Sequence, residues 1–252
     1  MSNIKTAQDY SVGELMAVAI ARQMKGHDGD WAAVGAYSQL PAAGIKLARI
    51  LYAPNLWWLA GGGGGINSSS KLQTSTSDHR VIRGAEYVMD MEDIVDIEMW
   101  RHNRGNEQIV AVIGGIQIDK RGSSNMVCVG DYAAPKVRGV GTVGLCFGVS
   151  FGVLYFFTMH HNRKIFVDEV DFISSPGHTA DRAKYVQSLC MPPKRVFSPL
   201  GVFDFAPDSG FMRIHSLHPG VTVADVQAAT GFEVGVPATV AETEAPTAQE
   251  LA

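Results

Sequence analysis

Near the start of the chain, apolar residues recur among polar ones at the spacing of an α-helix. The apolar series from Leu15 follows Ser11 and Glu14, whose spacing is that of a capping box, so the pattern predicts a helix that begins at this point. A second helix is predicted around Pro41, which suits a first helical position, and it must end before Pro54.

Continuous apolar runs follow these helices and recur along the chain. Runs of this length without alternation are typical of strands that are covered on both faces, as in a parallel sheet. A further helix is predicted over 92–103, between two of the runs. The predicted strands are Trp31–Val34, Leu56–Ala60, Gln108–Ile113, Met126–Val129, Val153–Phe157 and Ile165–Val167. Helices that alternate with such strands indicate an α/β domain with a mainly parallel sheet.

The pattern changes towards the C-terminus. Three apolar segments, Arg195–Ser198, Leu200–Phe205 and Phe211–Leu217, are separated by short turns, which favours a locally antiparallel edge. A second capping box, at Thr222, predicts a last helix that stops at Gly231. We expect one domain over 1–236, followed by a tail, 237–252, that is loosely ordered or docked on a partner.

Composition narrows the class of protein. The chain has 252 residues, of which 46% are hydrophobic and 18% charged, and its net charge is −4. Nucleic acid and anionic membranes are therefore not expected as partners. No apolar run approaches the ~20 residues that span a bilayer, and the N-terminal residues lack a signal-peptide pattern, so we expect a cytoplasmic protein. Three cysteines without C-x-x-C spacing predict neither a disulfide framework nor a cysteine zinc site.

Glycine is abundant, with 27 residues, and it is clustered behind apolar runs. The clusters are 61–65, 114–115 and 139–144. They fit neither a dinucleotide-binding fingerprint nor a P-loop. At the carboxyl ends of strands, glycine lets backbone N–H groups approach a ligand and donate to an oxyanion. For any single cluster, an ordinary tight turn is the alternative.

Several irregular motifs resemble one family in order and in spacing. They include GAYSQLPAAGIKLARILYAPN at 35–55, IGGIQIDKRGSSN at 113–125, GDYAAPKVRGVGTVG at 130–144, VDFISSPGHT at 170–179, SPLGVFDF at 198–205 and SLHPGVTVADVQAATGFEV at 216–234. In these segments, which extend over nearly the whole chain, the sequence resembles the B-type subunits of family I coenzyme A transferases, of the glutaconate CoA-transferase type.

The resemblance implies a three-layer α/β/α fold and an A-type partner subunit, in a heterodimer or a heterotetramer, with the active site at the subunit junction. It implies an acyl-CoA substrate, so that coenzyme A enters as part of the substrate, and no permanently bound cofactor. In the transferases a glutamate attacks the thioester and forms first an acyl anhydride and then a glutamyl-CoA thioester.

The sequence departs from the family at that glutamate. In the same register it reads Trp57-Trp58-Leu59-Ala60-Gly61, so Gly61 occupies the nucleophile's place and no nucleophile is assigned in this chain. The next carboxylates, Asp78, Glu86 and Asp90, are distant along the chain.

Hydrolysis or carbon–carbon cleavage of an acyl-CoA is therefore favoured, as in relatives that have lost the glutamate. A transferase whose glutamate comes from elsewhere and a non-catalytic structural subunit are the alternatives. The ring-opening relatives carry an arginine in the third glycine loop. Positions 140–143 lack it, and Arg138 is the nearby candidate.

The candidate site residues follow from the glycine clusters and from the resemblance. Oxyanion or thioester contacts are predicted for Gly61, Gly62 and Gln117. Substrate contacts are predicted for Gly63, Gly114, Gly115, Asn125, Arg138, Gly139, Gly141, Gly144 and His178. No metal site is predicted, because His160 and His161 lack a third ligand at a suitable spacing. Cys146 is interpreted as a buried, inert thiol.

Overall fold

The structure is a computed structural model that describes residues 10–60, 64–69, 71–90, 92–94, 109–142, 144–145, 152–180 and 192–252. Contacts divide the chain into two compact units. The first extends to Ile113 and takes in Glu244–Ala252, and the second comprises Gly114–Val149 and Leu154–Thr243. Both units contribute to the range 1–236, for which one domain was predicted.

The first unit combines helices with a sheet. Its elements are α1 (Val12–Gln23), β1 (Trp31–Val34), α2 (Gln39–Leu51), β2 (Trp57–Ala60), β3 (Gly65–Ile66), α3 (His79–Arg83), β4 (Tyr87–Val88) and β5 (Ile109–Ile113). The strand order is β5-β1-β2-β3-β4. The first three strands are parallel, and β3 and β4 are added antiparallel.

Local signals set the two long helices. The capping box of α1 is confirmed, because the Ser11 hydroxyl accepts from the backbone N–H of Glu14 at 3.2 Å. Helix α2 begins at Gln39, so Pro41 lies in its first turn but not at its first position. Proline is tolerated there because the first N–H groups of a helix have no intrahelical acceptor. A side chain at Gly44 would meet a backbone oxygen of α1 at 2.8 Å, so glycine permits the close approach of the two helices.

The second unit is richer in strands. Its elements are β6 (Gln117–Asp119), β7 (Ser124–Asn125), β8 (Cys128–Val129), β9 (Val137–Arg138), β10 (Val153–Phe157, whose first residue counts with the first unit), β11 (Phe166–Val167), β12 (Arg195–Ser198), β13 (Gly201–Phe205), β14 (Met212–Leu217), α4 (Val223–Ala229) and β15 (Ala241–Glu242). The order β10-β12-β13-β14-β15 starts with a parallel pair. Strands β12, β13 and β14 are antiparallel, as the sequence predicts.

The predicted α/β class is confirmed, with two differences in detail. The antiparallel strands are not confined to the C-terminal edge, since β3 and β4 are antiparallel as well. The predicted strand Met126–Val129 is shorter, because the Asn125 side chain accepts from the backbone N–H of Val127 at 2.8 Å and turns the chain between β7 and β8. The helix predicted over 92–103 falls mostly outside the described residues. Within the described part of the chain, every helix is too short or too polar to cross a bilayer.

The C-terminal segment 237–252 is bonded to elements of this chain, whereas loose order or docking on a partner was expected. Its strand β15 pairs with β14, and its helix α5 (Ala248–Leu251) belongs to the first unit. The buried Glu250 carboxylate accepts from Nε and Nη2 of Arg22, each at 2.7 Å, and also from the Tyr52 hydroxyl. Burial alone would raise the pKa of Glu250, but these bonds and the Thr247 N–H together lower it to about 2.

Candidate functional site

The carboxyl ends of three parallel strands lie level in the first unit. Val34 of β1 pairs with Ala60 of β2 on one side and with Val112 of β5 on the other. The residues that directly follow these three strands in the sequence are all glycines: Gly35, Gly61 and Gly114. Because ligands of open α/β sheets bind outside the carboxyl ends of the strands, this edge is the candidate site of the first unit.

The first glycine cluster connects two antiparallel neighbours. Ala60 of β2 pairs with Gly65 of β3, so four residues join the two strands. Gly64 has a φ of +68°, and a Cβ there would lie 2.1 Å from the carbonyl oxygen of Met89. No residue other than glycine fits this position without displacing the backbone. The other three, 61–63, lie outside the described residues, so the contacts predicted for Gly61, Gly62 and Gly63 stay predictions.

Asn67 fixes the strand that follows this cluster. Its Oδ1 accepts from the backbone N–H of Trp58 at 2.9 Å, and its Nδ2 donates to Glu86 at 3.0 Å. The residue is buried and has a φ of +50°, the left-handed conformation that asparagine tolerates better than most residues. Sequence reasoning assigned Asn67 no role, although its position directly behind a glycine cluster is a usable signal.

The carboxylates nearest downstream are occupied by other groups or face solvent. Asp78 caps α3 and forms an ion pair with Arg80 at 2.6 Å. The hydrogen bonds from the Arg80 side chain and backbone hold the pKa of Asp78 well below its usual range. Glu86 accepts from Asn67, and Asp90 is exposed. The geometry therefore gives none of them the place of a nucleophile at the end of β2.

The second glycine cluster lies against β7 in the second unit. The N–H of Ile116 donates to the carbonyl of Asn125 at 2.8 Å. A Cβ at Gly115 would be 3.2 Å from the carbonyl oxygen of Gln117, so a side chain there would crowd the backbone. At Gly114 a Cβ would make only ordinary contact with the ring of Phe157. Gly115 thus lets the chain turn closely behind Gln117, and the substrate contacts predicted for both glycines stay predictions.

The buried Gln117 and Asn125 belong to a network of amides that also includes the exposed carboxylate of Asp171. Its Nε2 donates to Asp171 at 3.0 Å, and its Oε1 accepts from Asn125 Nδ2 at 2.6 Å and from the Asp171 N–H at 3.1 Å. Asn125 Nδ2 also donates to the carbonyl of Cys128 at 2.6 Å, and Asp171 accepts from the N–H of Gly130 at 2.8 Å. These bonds give Gln117 and Asn125 a structural task, and their predicted contacts to substrate are not tested.

The third glycine cluster follows β9, the second strand of the β8–β9 hairpin. A Cβ at Gly139 would lie 2.1 Å from the carbonyl oxygen of Met126, and Gly141 has a φ of +94°. The N–H groups of Gly139 and Gly141 already donate to Val127 and Met126, at 2.7 and 3.2 Å. Space around Gly144 is open. The exposed Arg138 donates to the carbonyl of Tyr132 at 3.0 Å. The fold itself thus requires glycine at two of these positions, Gly139 and Gly141.

His178 is packed within the second unit. Its Nε2 donates to the carbonyl of Pro193 at 2.9 Å, and its ring stacks on Phe205 with centroids 4.4 Å apart. Its backbone carbonyl accepts from Arg121 at 3.1 Å. These contacts hold the loop of residues 175–179 in place, and a substrate contact of His178 stays a prediction.

His161 is half-buried and neutral, and its contacts are structural. Its ring nitrogens bond to the hydroxyls of Ser198 and Thr230 at 2.8 and 2.9 Å, and the ring stacks on Phe166. Burial lowers the pKa of His161 to about 3. Among the described residues no group of three His, Cys, Asp or Glu side chains converges as a metal site would require. Cys146 and Cys190 lie outside the described residues.

The second unit also contains a cavity of about 490 Å³. Three of its four charged lining side chains are paired. Lys120 bonds to Asp168 at 2.8 Å, and Arg213 bonds to Asp204 at 2.6 Å. The fourth, Glu233, is a single exposed carboxylate, so the lining does not present a converging set of free charges to a ligand.

Comparison with known proteins places these features in one family. A profile of the family described as coenzyme A transferase matches residues 14–229. The B-type chain of the 3-oxoadipate CoA-transferase of Pseudomonas knackmussii is 30% identical over 96% of this chain and 91% of its own length. The IpdB subunit of the cholesterol ring-cleaving hydrolase of Mycobacterium tuberculosis is 28% identical over 94% of this chain and 90% of its own. The crystal structure of glutaconate coenzyme A-transferase from Acidaminococcus fermentans has a TM-score of 0.82, with 25% identity over 96% of this chain and 92% of the matched chain.

Proposed function

Because this chain belongs to the coenzyme A transferase family, we propose that it is the B-type subunit of a two-subunit enzyme that hydrolyses an acyl-CoA thioester or cleaves a carbon–carbon bond of its acyl group. Matches over nearly the full length of B-type subunits support the subunit assignment. The partner is an A-type subunit, which supplies the base or the nucleophile. This chain contributes glycine loops and part of the acyl-group pocket.

The observation that carries the proposal is the residue after β2. CoA transfer needs a carboxylate there, and the chain has Gly61. The described carboxylates that follow do not replace it, since Asp78 is paired with Arg80 and Glu86 is bonded to Asn67. A subunit with glycine at this position has no group that can form the enzyme-bound thioester.

CoA transfer and thioester hydrolysis differ in what happens to the acyl carbon. In transfer, a carboxylate attacks the thioester, CoA thiolate leaves, and the thiolate then attacks the resulting anhydride to form an enzyme thioester and release the acid. In hydrolysis, water adds to the thioester carbonyl, its protons are taken up by a base and by the CoA thiolate, and the products are a free acid and CoA thiol. Both pass through an oxyanion that backbone N–H groups can stabilise.

Trapping distinguishes the reactions. The complex of this chain with its A-type subunit is incubated with acyl-CoA in ¹⁸O-labelled water and then treated with borohydride, which reduces an enzyme thioester. We expect one ¹⁸O atom in the carboxylate product of thioester hydrolysis, or in the carboxylate formed at the cleaved bond, and no loss of activity after borohydride. Inactivation together with reduction of an enzyme glutamate to its primary alcohol, with release of CoA thiol, would overturn the proposal.

A gain of function sharpens the test. Gly61→Glu returns the missing carboxylate, and we expect the borohydride-sensitive adduct to appear at this residue. Gly26→Glu is the matched control, because Gly26 is exposed and a side chain there meets nothing within 4 Å. An adduct in both variants, or only in the control, would speak against the assigned position.

The second candidate is a true CoA transferase whose glutamate comes from the A-type subunit. The 30% identity with the B-type chain of a 3-oxoadipate CoA-transferase favours it. In that case the wild-type complex forms the adduct on the partner chain.

A merely structural subunit would instead keep full activity in the complex when its glycine loops are altered.

A further inference from the structure

The start of helix α2 lies at the candidate edge of the first unit. Four residues, 35–38, join the end of β1 to Gln39, the first residue of α2. Val34 at the end of β1 pairs with Ala60 at the end of β2, so this turn begins level with the residue that precedes Gly61. A helix of 13 residues therefore has its positive N-terminal end at the edge where ligands of such sheets bind.

The first turn of α2 has backbone donors without acceptors. None of the residues that the structure describes accepts from the N–H groups of Gln39 and Leu40. The third helical position, one of the two that an N-cap side chain serves, is occupied by Pro41, which has no N–H group. The contacts within the described chain therefore leave this N-terminus uncapped.

Ser38 occupies the N-cap position but does not cap the helix. Its hydroxyl has no hydrogen-bond partner among the described residues, although the exposed fraction of Ser38 is only 3%. The oxygen lies 3.1 Å from the point where a Cβ of Gly35 would be, so it faces the space that this glycine leaves behind β1. Unlike the unpartnered hydroxyls of Ser124 and Ser175, it is not sealed from solvent. Since buried hydroxyls are normally hydrogen-bonded, this one points to a ligand that reaches it.

The carbonyl groups of the same turn are already used. The Thr76 hydroxyl donates to the carbonyl of Gly35 at 3.0 Å, and the Thr76 N–H donates to the carbonyl of Ala36 at 2.8 Å. The carbonyl of Ser38 accepts from the N–H of Ala42 at 2.9 Å. Because these acceptors are occupied and the donors beside them are not, the turn favours an anion over a cation.

We propose that the N-terminus of α2 and the Ser38 hydroxyl together bind negatively charged oxygen atoms of the acyl-CoA substrate, an inference that rests on the proposed function. The hydroxyl and the N–H groups of Gln39 and Leu40 donate to these oxygens, and the helix dipole adds to the attraction. An acyl-CoA has such oxygens in the phosphate groups of coenzyme A and in any carboxylate that the acyl group carries. Both sources present the same chemistry to the site, and binding measurements distinguish them.

Two substitutions of Ser38 separate binding from folding. Because its hydroxyl forms no bond within the described chain, we expect Ser38→Ala to keep the wild-type melting temperature and to weaken binding of the anion about tenfold. Ser38→Asp places a carboxylate where the anion would bind. It should keep or raise the melting temperature, since a carboxylate stabilises a helix N-terminus, and yet weaken binding more than Ser38→Ala does.

Ser11→Ala is the matched control in the same unit. Ser11 is exposed and caps α1 through the N–H of Glu14. We therefore expect this variant to lower the melting temperature and to leave the affinity for every ligand within about twofold of wild type. A loss of stability in Ser38→Ala as large as that in Ser11→Ala would show that the Ser38 hydroxyl is a structural cap, and would overturn the inference.

Calorimetric titration of the complex with its A-type subunit identifies the source of the anion. The ligands are CoA thiol and two thioethers that cannot be hydrolysed, S-hexyl-CoA and S-(5-carboxypentyl)-CoA, which differ in a terminal carboxylate. Weaker binding of all three ligands by the Ser38 variants assigns the site to a phosphate group of coenzyme A. Weaker binding of the carboxypentyl thioether alone assigns it to a carboxylate of the acyl group.

The remaining outcomes separate this inference from the proposed function. If the wild-type complex binds these ligands and both Ser38 variants bind each of them equally well, the anion site is wrong and the proposed function stands. If the wild-type complex binds none of the three ligands, the proposed function fails and the inference fails with it.

Discussion

The glycine segments of the two units are held in place in different ways. In the first unit, Gly64 and the strand β3 behind it are held by strand pairing and by the Asn67 side chain, which accepts from the N–H of Trp58. In the second unit, the β8–β9 hairpin is bonded to a network of the buried Gln117 and Asn125 and the exposed Asp171. Backbone contacts thus dominate at the first place, and side-chain hydrogen bonds at the second.

The difference determines which substitutions each of the two glycine segments tolerates. Where backbone contacts decide, as at Gly64, only glycine fits. Where a side-chain network decides, each member depends on the others, because a buried polar group without a partner costs free energy. The proposed loss of the family's glutamate, at Gly61, concerns a position next to the first kind of segment.

The largest expected difference between the units is their response to acid. Burial lowers the pKa of His161 to about 3 and that of His218 to about 4, and both belong to the second unit. From pH 6.5 down to these values the unfolded chain binds more protons than the folded chain, so the free energy of unfolding falls by roughly 1.4 kcal/mol per pH unit for each histidine. In the first unit Glu250, with its pKa of about 2, loses its stabilising effect only below its ordinary value of 4.5.

Urea unfolding between pH 8 and pH 4 measures this dependence. His161→Gln and His218→Gln should each flatten the slope below pH 6.5. A slope equal to that of the wild-type chain in both variants would show that these two histidines do not govern acid stability.

A smaller effect is expected when the Gln117 network of the second unit is broken. Gln117→Leu removes one bond each from Asn125 Nδ2, the exposed Asp171 carboxylate and the Asp171 N–H, which should cost about 2 kcal/mol of unfolding free energy. The matched change in the first unit, Asn67→Gly, removes the bond to Trp58 but relieves the left-handed backbone, so we expect a cost of about 1 kcal/mol. Denaturant titration of both variants gives the comparison, and a larger cost for Asn67→Gly would reverse it.

A graded series of effects, which ends with the smallest, is expected at the glycines that follow the β8–β9 hairpin. Gly139→Ala forces a Cβ against the carbonyl oxygen of Met126 and should cost about 2–3 kcal/mol. Gly141→Ala meets open space but strains the backbone at φ +94°, at a cost of about 1–2 kcal/mol. Gly144→Ala, in open space without that strain, should stay within about 0.5 kcal/mol of wild type. Thermal melts of the three variants would contradict the packing argument if Gly144→Ala proved the most damaging.

The sequence predicted those parts of the fold whose causes are local. Both capping boxes, at Ser11 and Thr222, are present, because the interacting groups lie three residues apart. The antiparallel pairing of β2 with β3 was missed, since a continuous apolar run indicates burial but carries no information on strand direction. The contact of Arg22 with Glu250 joins residues 228 positions apart, and no spacing rule reaches that far.

The candidate site was predictable only in part, for a related reason. Glycine clusters mark where backbone comes close to something, and at Gly64 and Gly139 the neighbour is this chain's own backbone. An amide such as that of Gln117 was a reasonable donor to a substrate, but the pattern of residues gives no sign that Asp171 already accepts its hydrogen bond. Which group occupies a polar atom depends on tertiary contacts, and these appear only in the folded chain.

The bonds between Arg22 and residues 244–250 also constrain the order in which the first unit can fold during synthesis. Arg22 is made at least 222 residues before its acceptors, the carbonyls of Glu244 and Ala245 and the Glu250 carboxylate. Helix α1 must therefore wait for the whole sequence of the second unit to be made before these contacts form. A nascent chain stalled before Glu244 should have a first unit that is more easily attacked by proteases.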